Sequence, residues 1–236
     1  MSSASQPATA GTYVKRAASS SLGMKLVMAA SGLLFYGWLI LHLVGNLSIF
    51  AGRLTMNEYA HLLHSKPALL WGQRIALLAI VATHIYTGIR LAQINRAARP
   101  QPYQSPRKWR QATLASRSML VSGLVVLGFL AFHLAHFTGN VILPEFAPKT
   151  NVDGILDVYS MVVQSFRIPW VAALYIVGVG TIGLHLSHAV WSSTQTLGLN
   201  GPKWTPMAKT LGFLLGVGVA ALFCLIPLAG VLQILK

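Results

Sequence analysis

The chain has 236 residues, of which 54% are hydrophobic and 9% charged, and its mean hydropathy is +0.60. Soluble domains carry about 25% charged residues, so this composition excludes that class and predicts an integral membrane protein. The 18 Lys and Arg outnumber the 4 Asp and Glu, but basic residues this sparse do not form a nucleic-acid-binding surface, and no nucleic-acid partner is expected. A single cysteine, Cys224, excludes an internal disulfide, a Cys-ligated iron–sulfur cluster and a covalently attached c-type haem.

The elements follow in chain order as one all-α membrane domain, residues 1–236. Residues 1–23 are polar and lack an apolar core, which predicts a flexible lead-in and no secretory signal peptide. A bilayer crossing needs about 20 apolar helical residues. Spans I to V are therefore predicted at about residues 25–50, 68–94, 117–143, 168–193 and 209–234. Residues 54–64, ahead of Pro67, predict a short helix in the membrane interface, with a loop as the alternative.

Basic residues predict the orientation of the bundle, because cytoplasmic connections carry an excess of Lys and Arg. The amino terminus and the II–III and IV–V connections hold most of them: Lys15, Arg16, Lys25, Arg90, Arg96, Arg99, Arg107, Lys108, Arg110, Arg117, Lys203 and Lys209. The other side holds Arg53, Lys66, Arg74, Lys149, Arg167 and Lys236, together with the acids Glu58, Glu145, Asp153 and Asp157. This pattern predicts a cytoplasmic amino terminus and an external carboxyl terminus.

Six of the eight histidines lie inside the predicted spans. They are His42 in I, His84 in II, His133 and His136 in III, and His185 and His188 in IV. A polar ring in lipid is costly unless it faces the bundle interior and finds a partner. A lone histidine often only forms a hydrogen bond between helices, but four helices that each supply one favour a functional role.

The depths of these histidines sort them into two layers. With a rise of about 1.5 Å per residue, His42 and His133 both lie roughly 25 Å from the cytoplasmic edge, and we call them the outer pair. His84 and His185 lie near the cytoplasmic side and form the inner pair. Two haems stacked across a membrane require two such pairs, since each iron takes two axial nitrogens. His136 and His188, about one turn along, are alternative ligands.

Four stretches resemble a known family: SGLLFYGWLILHLVGNLSIF in span I, ATHIYTGIRL in II, ASRSMLVSGLVVLGFLAFHLAHF in III and SFRIPWVAALYIVGVGTIGLHLSHAVWSSTQTLG in IV. Together they resemble the large diheme cytochrome b subunit that anchors succinate dehydrogenases and fumarate reductases of the single-anchor type. The resemblance covers nearly the whole chain, and the span IV stretch is its most specific part.

The resemblance implies five helices that hold two b haems. Its ligand positions fall on His42 and His133 for the outer haem and on His84 and His185 for the inner one. His136 and His188 then look like groups beside a haem edge or a quinone, or like packing residues. Arg167 resembles the family's arginine for the outer haem propionates. Arg90 and Arg117 are weaker candidates on the inner side, where simple anchoring of positive charge is the alternative.

The family reacts with a membrane quinone, and the expected species here is menaquinone. Glu58, His61 and His64 are candidates for delivering protons to an external quinone site, and Ser31, Arg117 and Trp191 for bordering an inner one. Fumarate-reducing relatives carry a glutamate two positions before the fourth ligand, where this chain has Gly183. Proton coupling by that route is therefore not expected.

The implied role is an electron-transfer anchor subunit of succinate:quinone oxidoreductase in the prokaryotic cytoplasmic membrane. Its partners are a flavoprotein subunit, an iron–sulfur subunit, lipid and quinone, and the basic connection from Arg90 to Arg117 is the expected docking surface. Succinate chemistry itself belongs to the flavoprotein. The alternatives are the diheme subunit of another respiratory dehydrogenase, which the span IV spacing disfavours, and a histidine-lined ion transporter.

Overall fold

The structure, a computed structural model, describes residues 20–98, 118–151 and 154–236. The α-helices in these ranges are α1 (Ser21–Leu47), α2 (Arg53–His64), α3 (Pro67–Ala97), α4 (Met119–His133), α5 (Val158–Phe166), α6 (Pro169–Thr196) and α7 (Trp204–Val231). A 3-10 turn, Ser48–Ala51, follows α1, a π-helical turn, Leu134–Thr138, continues α4, and a second 3-10 turn spans Pro144–Phe146. These ranges contain no β-strand.

Five helices are long and apolar enough to cross a membrane: α1, α3, α4 with its π turn, α6 and α7. They confirm the predicted all-α, multi-pass architecture. Large apolar side chains project outward from them, as Leu41 and Leu78 do with 67% and 71% of their surface exposed. Such surfaces suit contact with lipid chains. Most of the lead-in, residues 1–19, and much of the II–III connection, residues 99–117 with Arg117, lie outside the described residues.

Local sequence explains where these helices begin. Ser20 caps α1 by accepting a hydrogen bond from the Gly23 amide at 3.0 Å. Pro67 and Pro169 occupy the first turn of α3 and α6, where a missing amide hydrogen costs nothing. Residues 139–143 leave helical geometry, since Asn140 and Leu143 have φ values of 50° and 54°. The helical part of span III therefore ends at Thr138, earlier than predicted.

Two short helices form a cap over one end of the bundle. The short helix predicted between spans I and II is present as α2. The other, α5, was not predicted, because nine residues are too short to be recognised as a span. The main buried cluster lies here, with Ile49, Phe166 and Val171 at 1%, 4% and 0% exposure. This cap and α6 together surround the end of the bundle that holds the outer pair.

The long helices pack unevenly. Helices α6 and α7 approach closely, because Gly183, Gly212 and Gly216 bring one backbone against the other. Helix α6 also contacts α4 and α1, and α1 contacts α3, whereas α3 and α4 barely touch. The four histidine-bearing helices are therefore arranged around an interior that α7 closes on one side only.

Candidate histidine centres

The outer pair comes together between α1 and α4. The ring centroids of His42 and His133 lie 6.0 Å apart, with their planes at 83°. Both side chains are half-buried. Two helices that are far apart in sequence thus present imidazoles to each other at one depth.

The inner pair comes together between α3 and α6. The centroids of His84 and His185 lie 6.4 Å apart, with their planes at 72°. Two imidazoles that bind opposite sides of one metal ion through Nε2, at about 2 Å each, have centroids about 6 Å apart. Both pairs therefore have the separation that one six-coordinate iron between them needs.

At the inner pair, hydrogen bonds determine which ring nitrogen carries the proton. The Nδ1 atom of His84 lies 3.2 Å from the Met28 carbonyl oxygen, which only accepts, so this nitrogen donates. Ser31 donates its own hydrogen to the same carbonyl, and its oxygen lies 3.3 Å from the same Nδ1. In each ring that donates through Nδ1, the Nε2 lone pair is available for a metal.

His185 is held in the same way from α4. Ser122 donates its hydrogen to the Met119 carbonyl at 3.1 Å, so its oxygen accepts from His185 Nδ1 at 3.0 Å. The sequence prediction did not include Ser122. A serine at the same depth as the inner pair, on a facing helix, was the signal that could have identified it. Ser31, a predicted candidate for bordering an inner quinone, contacts His84.

At the outer pair, Tyr175 of α6 contacts both histidines of span III. Its hydroxyl lies 3.3 Å from His133 Nδ1 and 3.1 Å from His136 Nδ1. The other nitrogen of His136 lies 3.2 Å from the Ser165 hydroxyl of α5. His136 is 3% exposed and has both nitrogens occupied by protein groups. The choice between the two histidines of this span therefore favours His133 as the ligand.

The π-helical turn places His136 in this position. Such turns are rare, occur frequently at functional sites, and shift the side chains that follow out of α-helical register. The turn begins directly after His133, and it directs His136 into the cap, where its ring stacks on Phe137 with centroids 4.1 Å apart. A backbone irregularity of this kind has no clear sequence signal.

His42 is held by residues one turn away on its own helix. The Trp38 ring stacks on it at 4.8 Å and 12°. The Asn46 amide nitrogen lies 3.4 Å from Nδ1 and 3.3 Å from Nε2 and donates to the His42 carbonyl at 2.8 Å. An atom equally far from both ring nitrogens does not lie in line with either lone pair. Stacking therefore fixes the ring of His42 without fixing its tautomer.

Two glycines face the inner histidines, and only one of them, Gly32, leaves little room for a larger residue. A Cβ atom at Gly32 would lie 3.1 Å from the His84 ring, and one at Gly123 would lie 3.5 Å from the His185 ring. At Gly37 and Gly128 an added Cβ would meet nothing within 4 Å, so space remains along α1 and α4. Between the layers, the Tyr36 hydroxyl is buried and lacks a partner within the described chain. Buried polar groups without a partner are rare in folded proteins.

His188 lies one turn after His185 on α6, and the other predicted site residues lie towards the ends of the bundle. His188 is half-buried, and its side chain forms no hydrogen bond within the described residues. Arg167 is exposed at the start of α6, and Arg90 is exposed and donates to Gln93 at 3.0 Å. Glu58, His61 and His64 are exposed on α2, and Lys209 lies over the Trp191 ring at 4.8 Å.

The cap contains a polar cluster that the sequence analysis did not anticipate. Asp157 of the α5 amino terminus pairs with Arg53 and accepts from Asn57 at 2.9 Å and from the Ser160 amide at 3.2 Å. Burial would raise the pKa of Asp157, but the hydrogen bonds from Arg53, Asn57 and Ser160 outweigh it and lower the pKa to about 2. Asn57 also accepts from the Tyr159 amide, so α2 and α5 are joined at two points.

The described residues contain no cluster of three or more His, Cys, Asp or Glu side chains placed to hold a metal. The chain matches no family model, no curated protein and no solved structure. The family resemblance consequently rests on the four quoted sequence stretches alone.

Proposed function

We propose that this chain is the membrane-anchor electron-transfer subunit of a succinate:quinone oxidoreductase, with two b haems held by the outer and inner pairs. One observation carries the proposal. Two pairs of histidines, on four helices, lie with centroids 6.0 and 6.4 Å apart at two depths. A structural histidine needs no such partner, whereas an iron with two axial imidazoles does.

The chain's own residues would hold and orient each group. His42 and His133 would ligate the outer haem, and His84 and His185 the inner one. When bound, each haem supplies a carrier for one electron. Met28, Ser31 and Ser122 keep the Nδ1 protons of the inner ligands in hydrogen bonds, which orients the rings and leaves Nε2 for iron.

Charged groups at the two ends of the bundle suit the binding of haem propionates and of the iron–sulfur subunit. Arg167 is exposed at the end with the outer pair, and its guanidinium forms no hydrogen bond or ion pair within the described residues, so it is available to a propionate. Arg90 lies at the opposite end, where Arg117, outside the described residues, would join it. The basic connection between α3 and α4 would contact the iron–sulfur subunit, and a flavoprotein subunit would oxidise succinate.

The quinone, expected to be menaquinone, would react at an end of this subunit in the prokaryotic cytoplasmic membrane. The external candidates Glu58, His61 and His64 lie on α2, at the end of the bundle that holds the outer pair. At the inner end, Trp191 and Ser31 remain candidates. By sequence, all four carboxylates lie outside the spans, which supports electron transfer without a membrane-embedded acid to carry protons.

Haem content tests this proposal. The pyridine haemochrome of the purified complex should give two b haems per chain. His84→Ala or His185→Ala should lose one haem and leave the outer centre, whereas His42→Ala or His133→Ala should leave the inner one. His61→Ala, an exposed histidine on α2, is the matched control and should retain both. A wild-type complex without haem would contradict the proposal and favour an ion transporter.

A further inference from the structure

The Tyr175 hydroxyl lies at the centre of a buried chain of four polar groups. The chain runs from His133 Nδ1 to Tyr175 at 3.3 Å, on to His136 at 3.1 Å, and from its far nitrogen to Ser165 at 3.2 Å. Tyr175, His136 and Ser165 are 5%, 3% and 0% exposed. Because water is excluded from these groups, each depends on its neighbours for hydrogen bonds.

The donors in such a chain all point the same way if every hydrogen is to find an acceptor. A hydroxyl has one hydrogen, and a neutral imidazole has one N–H and one bare nitrogen. If Ser165 donates to His136, every donor points toward His133, whose proton then sits on Nε2. If instead His133 donates to Tyr175, Tyr175 to His136 and His136 to Ser165, the Nε2 lone pair of His133 is bare. Only the second direction allows His133 to bind a metal.

The other proposed ligands do not share this dependence. His84 donates to a backbone carbonyl. His185 donates to Ser122, whose own hydrogen is donated to the Met119 carbonyl. His42 is fixed by stacking on Trp38. Within the described residues, Tyr175 is the only hydrogen-bond partner of the His133 ring. The tautomer of this one ligand therefore depends on a single tyrosine hydroxyl.

We propose that Tyr175 is the positioning residue of the outer centre. Its oxygen accepts the Nδ1 proton of His133 while its hydrogen goes to His136, which sets the tautomer of the ligand. A hydrogen-bonded Nδ1–H makes an axial imidazole a stronger electron donor, which favours oxidised over reduced iron. This inference rests on the proposed function, because it concerns a bound haem.

Redox titration of Tyr175→Phe in the whole complex tests the inference. The phenylalanine keeps the ring, which packs edge-on against Phe129, Phe132 and Phe166 with centroids 5.2, 5.9 and 4.9 Å away. We expect both haems to be retained and the midpoint potential of the outer haem to move to a more positive value. The inner haem, whose ligands Tyr175 does not touch, should keep its potential.

Two further variants make the result decisive. Tyr86→Phe removes the same hydroxyl from a side chain of α3 that is 63% exposed, and should shift neither potential. Ser165→Ala removes the far end of the chain and should move the outer potential in the same direction by less. This variant decides the question if Tyr175→Phe fails to assemble.

The outcomes separate the two proposals. Two bound haems with an unchanged outer potential in Tyr175→Phe, or in Ser165→Ala if the first variant does not assemble, would overturn the role of Tyr175 and leave the proposed function intact. If Tyr175→Phe selectively loses the outer haem, the potential of that haem in Ser165→Ala decides, because a shift to a more positive value supports the role of Tyr175 and an unchanged value overturns it. Absence of haem from the wild-type complex would overturn the proposed function itself.

Discussion

Individual residues in this molecule act through the neighbours that fix them. Ser122 and Tyr175 have no special sequence signature, yet each holds the Nδ1 atom of a paired histidine. Asp157 likewise holds its neighbours in the cap, where it is 14% exposed and accepts hydrogen bonds from α2 and α5. These roles follow from proximity in space, so they could not be read from spacing along the chain.

The Asp157 carboxylate should make the stability of the cap depend on pH. Its folded pKa, about 2, lies below the ordinary 3.8, so its contribution is complete above pH 4 or so and is lost as the pH falls through 2. We expect Asp157→Asn to lower the free energy of unfolding at neutral pH by about 1–3 kcal/mol.

Thermal unfolding in detergent as a function of pH measures this effect. The difference in unfolding temperature between wild type and Asp157→Asn should be constant at neutral pH and should shrink below pH 4. Glu58→Gln removes an exposed acid from the same cap and serves as the control. A difference that stays constant down to pH 2 would show that the charge of Asp157 does not stabilise the cap.

At the scale of helices, glycines with the same sequence signal have different roles. Gly32 and Gly123 face histidine rings, Gly45 faces the Tyr59 ring, and Gly183 faces α7. Glycines in membrane helices can make room for a flat ligand or, more commonly, allow two helices to pack closely. The structure separates them, because the neighbour of each glycine decides what a side chain there would meet. A glutamate at position 183 would not fit between α6 and α7.

Two glycines of α6 provide a matched test of helix packing. A Cβ at Gly183 would lie 2.6 Å from the Ala220 Cβ and 3.0 Å from the Gly216 carbonyl oxygen, whereas one at Gly180 would meet nothing within 4 Å. Gly183→Ala should therefore destabilise the bundle by about 1–3 kcal/mol through overpacking. Gly180→Ala should be neutral or stabilising by up to about 1 kcal/mol.

Reversible unfolding of the purified protein in mixed micelles compares the two variants. The expected order of stability is Gly180→Ala at or above wild type, with Gly183→Ala below both. Equal effects of the two substitutions would mean that α6 and α7 do not pack as closely as these contacts indicate.

At the scale of the whole molecule, the outer pair's end and the inner pair's end differ in construction. The cap of α2 and α5 closes the former, and the basic connection between α3 and α4 lies at the latter. The distribution of Lys and Arg predicts that the capped end is external. The direction of electron transfer in the proposed complex depends on this orientation, because the iron–sulfur subunit would dock at the cytoplasmic end.

Labelling of introduced cysteines tests the orientation. In a Cys224→Ser background, Thr150→Cys places an exposed thiol at the capped end and Asn200→Cys places one at the opposite end. A membrane-impermeant maleimide should label Thr150→Cys in intact cells and Asn200→Cys only after permeabilisation. The reverse pattern would contradict the predicted topology and move the docking surface to the other end.

The sequence by itself determined the five spans, since the number of apolar residues between charges is set by the thickness of a bilayer. It also predicted the two histidine pairs, because each paired histidine lies in a regular α-helix, whose rise per residue is known. Tertiary structure alone decided which helices are neighbours, that His136 is held by Tyr175 and Ser165, and that α5 completes the cap. These depend on contacts between residues such as Asn57 and Tyr159 that are distant along the chain. A local sequence pattern shows the periodicity of a helix, but it does not show which residues of other helices pack against it.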